Sequence, residues 1–148
     1  VRGLRAEEAL LIGLLHDIGT IAILNYLHKY PDLAEEEGAL DITIARLRGE
    51  LGAMILRSWR FPAEIIAGAR DAEHWLRKHD GEPDFTDLII VAQVHDLLRT
   101  DRMSELPPFD DILAVKRVFG REATAEKSIQ ILHEAKHQID AMRSVLRG

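Results

Sequence analysis

The sequence predicts an all-α domain, and three observations predict it. Apolar residues recur at three- and four-residue steps through most of the chain. No stretch alternates apolar and polar residues as a half-buried strand does, and no two-residue hairpin turn is present. Proline, glycine and acidic residues fall between the periodic segments, where helices begin and end.

The elements follow in order. Residues 6–18 read as a first helix, with Glu7 and Glu8 favouring its positive N-terminal end. Leu10, Leu11, Leu14, Leu15 and Ile18 form a broad apolar stripe on it. Gly19 reads as a terminator or a point of close approach. A second helix spans residues 20–29, turns Ile21, Ile23, Leu24 and Leu27 inward, and stops at Pro31. Glu35, Glu36, Glu37 and Gly38 read as a solvated helix end and turn. Asp41 is a good N-cap for a third helix, whose buried face is expected to hold Ile44, Leu47, Leu51, Met54 and Ile55. Phe61-Pro62 breaks that run. The next helix is expected to carry Ile65, Ile66, Ala69, Trp75 and Leu76, and Gly81 and Pro83 make a loop. Residues 86–99 form a helix with Ile89, Ile90, Val94, Leu97 and Leu98. Pro107-Pro108 is the sharpest punctuation. A short helix with Ile112, Leu113 and Val118 follows and ends at Gly120. A long C-terminal helix over residues 124–146 is expected to present Ile129, Leu132, Ile139, Met142 and Leu146 on one face.

Composition narrows the function. A chain of 148 residues suits one domain with a proper core, so residues 1–148 are read as one helical unit. The formal net charge of −6, with no basic run, argues against nucleic acid or an anionic membrane as a partner. The absence of cysteine excludes disulfides, thiolate chemistry and sulfur-ligated metal. No apolar run reads as long enough to span a bilayer and no secretory signal opens the chain, so a cytoplasmic protein is expected.

The most informative stretch is Gly13-Leu-Leu-His16-Asp17-Ile-Gly19. Two ionisable side chains inside an apolar helix are costly unless each has a partner, so the pair reads as a metal site or the relic of one. A second string, His133-Glu134-Ala-Lys-His137, is literally the zincin pattern. A zincin needs a third ligand downstream, and the eleven residues that remain hold neither histidine nor glutamate. That string is read as chance in a charged amphipathic helix. His28, His74 and His79 read as exposed or snorkelling side chains, and His95 as a surface or packing residue. Trp59 and Trp75 read as core or edge-of-core anchors.

With Glu50-Leu-Gly-Ala53 and Trp59-Arg-Phe-Pro62 added, the motif order resembles the HDOD domain, the HD-related output domain of bacterial signalling proteins. That family is a degenerate branch of the HD metal-dependent phosphohydrolases. The resemblance covers residues 6–98 and implies an HD-like helical bundle. It also implies a further helical portion ahead of the His-Asp helix, so with Val1 as first residue the chain is expected to be a piece lacking upstream helices. It implies divalent metal (manganese, iron or magnesium) held by His16 and Asp17, with Asp96 in the place of the late aspartate. Against that stand Arg48 where relatives commonly carry a histidine, Ala72-Glu73 where a His-His pair is common, and Thr20 in place of a lysine. A hydrolytic site needs several ligands and an open position. His16, Asp17 and Asp96 make at most three, so the site reads as vestigial, with no catalytic residue and no cofactor. Arg48 is expected to pair with Asp17 or Asp96, standing where a cation would sit.

The leading expectation is a non-catalytic signal-transduction module that binds a protein partner or relays the state of an attached signalling domain. The alternatives are a metal-dependent phosphohydrolase acting on a nucleotide or cyclic dinucleotide, and a ligand sensor that binds an anion through Arg48 without turnover. A piece lacking its upstream helices would expose apolar surface, so a homodimer is expected as a consequence of the missing helices.

Overall fold

The computed structural model describes residues 3–34, 38–98 and 100–120, together with 124, 126, 127, 129 and 130. Among these the chain forms six α-helices and three short 3-10 turns, with no strand. The helices are α1 (Ala6–Leu15), α2 (Ile18–Lys29), α3 (Ala39–Ser58), α4 (Ala63–Arg70), α5 (Phe85–Leu97) and α6 (Leu113–Phe119). The all-α expectation holds. From residue 131 on, the predicted C-terminal helix, with the His133–His137 string on it, lies outside the described residues.

Packing runs from neighbour to neighbour: α2 on α3, α3 on α4, α4 on α5 and α5 on α6, with α1 laid across α4 and α5. Two apolar clusters result. The first joins Ile12 of α1, Leu56 of α3, Ile65 and Ala69 of α4, and Phe85 and Ile89 of α5. The second joins Ile90, Val91 and Val94 of α5 to Ile112, Ala114 and Val115 around α6. Helix α5 therefore serves both cores, which is why its sequence is apolar nearly all round.

Several boundaries differ from those the sequence predicts, each for a local reason. The chain pauses at His16 and Asp17 and re-enters helix at Ile18, so Gly19 lies inside α2 and not at a helix end. Its role is close approach: a Cβ there would strike the Arg48 carbonyl oxygen of α3. Gly68 of α4 does the same for α1, because a Cβ would meet the Ile12 side chain. Gly13 by contrast faces open space. Helix α3 starts at Ala39, capped by Gly38 at φ 79°, so Asp41 sits in the first turn instead of capping.

The buried face of α3 also differs. Gly52, Ala53 and Leu56 pack inward, while Leu47 and Met54 are exposed. Small residues let α2 and α4 come close on that side, and the bulkier residues are left at the flanks. Helix α4 ends at Arg70, so Trp75 and Leu76 lie in the following turns. Trp75 still packs on the second cluster, whereas Trp59 is exposed and touches Phe61 with ring centroids 6.4 Å apart.

Candidate functional site

The joint between α1 and α2 carries the His-Asp pair. Asp17 has φ −99° and ψ 12°, outside the helical well, and its carboxylate makes no capping hydrogen bond to α2. It turns to α3 instead. The Arg48 guanidinium donates from Nη1 to Asp17 Oδ1 at 2.9 Å and reaches Glu73 Oε1 from Nη2 at 2.6 Å. One arginine thus ties together the α1–α2 joint, α3 and the turn after α4. Of the two partners foreseen for Arg48, the geometry selects Asp17, with Glu73 as the second and Asp96 not engaged. Burial pushes the Glu73 carboxyl above the usual range, outweighing the opposite pull of Arg48.

His16 is committed in another direction. Its Nδ1–H donates to the Gly13 carbonyl at 2.7 Å, which leaves Nε2 to accept from the Gln93 side-chain amide at 2.6 Å. That nitrogen also lies 3.4 Å from Asp17 Oδ2. Gln93 and Asp96 stand three apart on α5 and, with Gly13, His16, Asp17 and Ile89, line a cavity of about 280 Å³. A second cavity of about 330 Å³ on the other side of Arg48 is polar, lined by Arg46, Glu50, Arg70, Asp71, Glu73 and His74. Its charges are already paired in part: Arg70 holds Asp71 through two hydrogen bonds at 2.8 and 2.7 Å.

The structure thus brings all three sequence-predicted residues, His16, Asp17 and Asp96, to one cavity wall. Their ligand atoms do not converge as a metal set, however. Among the described residues, the three-residue cluster of donor atoms within 4.8 Å of one another is His79, Asp84 and Asp87, elsewhere in the fold. At the His-Asp corner the Nε2 lone pair is taken by Gln93, and Asp17 faces a guanidinium. A divalent ion would have to displace both, and the residues as arranged do not fit one.

The His79 cluster is built around Asp87, whose side chain is fully buried at the start of α5. Asp87 Oδ2 lies 2.8 Å from His79 Nε2, while Arg77 and Arg117 approach Oδ1 at 3.4 and 3.3 Å. Asp84 and Asp87 also form a reciprocal capping box. Two arginines on one carboxylate supply the positive charge a metal would bring. This makes the cluster a structural joint between the loop, α5 and α6, and His79 is a half-buried member of it, not a snorkelling side chain.

Residues 1–74 match the family model described as the HDOD domain, half of the chain, and the chain belongs to that family. No curated protein and no solved structure matches it.

Sequence reasoning did not identify Gln93 or the Asp87 joint. The Asp84-x-x-Asp87 spacing ahead of an apolar run was the readable signal for the second, as a capping-box pattern. Nothing marked Gln93 apart from its place one turn before Asp96.

Proposed function

We propose that this chain is a non-hydrolytic signalling module of the HDOD family that works by binding a protein partner or by relaying the state of an attached domain. The observation that carries the reading is Arg48. Its guanidinium sits on Asp17 and Glu73, where hydrolytic relatives would hold metal, and it offers a fixed charge without a Lewis acid's open position or activated water. Gln93 supports the same reading, because it caps the His16 nitrogen that a metal would need. What the corner retains is mechanical: Arg48 links three segments that a partner's binding would move together.

The test is phosphate release from a panel of nucleotides and cyclic dinucleotides, with manganese or iron supplied. The expected result is no turnover above buffer. Turnover that disappears in His16→Ala and Asp17→Ala would overturn the reading.

A further inference from the structure

The cavity beside the His-Asp pair offers acceptors far more than donors. His16 spends its Nδ1–H on the Gly13 carbonyl and turns its Nε2 lone pair to the Gln93 amide, so it has no proton left for the cavity. The ring nitrogen beside Asp17 Oδ2 is that same Nε2, at 3.4 Å. Oδ2 therefore accepts nothing, while Oδ1 takes the hydrogen bond from Arg48. Asp96 pairs with no described residue. Gln93 keeps its carbonyl oxygen and a single spare N–H. Two carboxylates and an amide oxygen thus line a space of about 280 Å³ whose remaining wall, Gly13, Ile89 and Ala92, is apolar.

We propose that this cavity receives a basic side chain, an arginine or a lysine, from the protein partner of the signalling module. The inference rests on the non-hydrolytic reading above and names the chemistry the partner must present. Unspent acceptors call for a group that only donates, as guanidinium and ammonium do. A bare divalent ion is disfavoured by spacing, because the ligand atoms of His16, Asp17 and Asp96 do not converge. A phosphate would meet two carboxylates, a like-charge approach that costs energy. The volume falls just under the range of pockets for drug-sized ligands, which suits one long side chain, and the apolar wall suits its methylene stem.

The charge balance agrees. Arg48 is divided between Asp17 and Glu73, so it leaves Asp96 uncompensated. The whole chain carries −6, which draws a basic partner toward it. By length and composition alone the α1–α2 segment, Ala6–Lys29, could cross a membrane, in contrast to the short apolar runs the sequence implied. The cavity lies on the side of that segment that packs toward α5.

The probes are agmatine and a capped alanine–arginine–alanine tripeptide, each titrated into the isotope-labelled chain and followed by amide chemical shifts. The inference expects both to saturate one site, with the largest shifts at Gly13, Ala92 and the Gln93 side-chain amide. Asp96→Asn should weaken binding by about fivefold or more. Ala92→Phe fills the cavity from an exposed position without changing its charge, and should abolish binding. Asp32→Asn removes an exposed carboxylate elsewhere and should leave binding unchanged. Equal weakening in Asp32→Asn, shifts scattered over the surface, or inorganic phosphate binding in the cavity would overturn the inference. Agmatine binding without the tripeptide would assign the cavity to a free amine and overturn the partner's side chain. Manganese held at His16 would remove the non-hydrolytic reading itself, whereas a metal-free chain that ignores both probes at millimolar concentration removes only the basic side chain.

Discussion

Two arginine–carboxylate centres divide this molecule, and they differ chiefly in water. At the α5–α6 end, Asp87 is fully buried and surrounded by His79, Arg77, Arg117 and its own capping partner Asp84. At the α1–α2 joint, Asp17 is about half exposed, shares Arg48 with Glu73, and opens on a cavity. In the first centre each Asp87 oxygen has two nitrogens within hydrogen-bond distance, so the buried carboxylate is committed to holding elements together. The second keeps a cavity wall and one carboxylate edge accessible. The comparison separates a sealed structural joint from a corner that stays open to a cavity, although both are built from the same chemistry.

The largest effect should come from breaking the sealed centre. Asp87→Ala would take the buried carboxylate from Arg117 and His79 and remove the Asp87 half of the capping box, while Asp84 still holds Arg77 and caps α5, so a loss of about 3 kcal/mol is expected. Urea unfolding would measure it, and a loss below about 1 kcal/mol would mean the joint is not structural.

Gly19→Ala comes next, because a methyl there must push α2 away from the Arg48 carbonyl. Overpacking of this kind costs about 1–3 kcal/mol, and it should also disturb the Arg48–Asp17 pair. Arg48→Met should cost less, about 1–2 kcal/mol, because its partners are partly hydrated and can recover water. If Arg48→Met proved as damaging as Asp87→Ala, the contrast between the two centres would collapse.

The smallest effect is a pH dependence in the sealed half. His95 is buried against Phe119, ring centroids 5.8 Å apart, with its Nε2 unpartnered. Burial lowers its pKa from the ordinary histidine value. The unfolded chain takes up this proton near pH 6.5 while the folded chain resists it. The stabilising contribution is therefore complete above about pH 6.5 and is lost as pH falls below that value. His95→Phe should flatten the fall in stability just below about pH 6.5 relative to wild type. An unchanged slope would show that other groups set it.

How much of this was legible beforehand depends on the kind of signal. The helices of the α5–α6 half were read nearly in place, because Ile89, Ile90, Val94 and Ile112 are buried by ordinary periodicity. The α3 face was misjudged because periodicity weighs large residues. The contact there is made by Gly52 and Ala53, where closeness and not bulk does the packing. His16, Asp17 and Arg48 were readable because ionisable groups in apolar helices must be partnered, and the Arg48–Asp17 pair follows from that rule. Glu73 and Gln93 were not, since each reaches the corner from another helix or turn, and sequence spacing carries no record of that meeting. The outer stripe of α1 and α2 was visible as apolar residues. Only the fold shows that it stands opposite the packed side.

The most direct measurement is the metal content of the purified chain after growth with and without added manganese or iron. With Arg48 on Asp17 and Gln93 on His16, the expected result is no metal in stoichiometric amount in either preparation. One or two ions per chain, lost on His16→Ala, would contradict it and return the corner to the hydrolases.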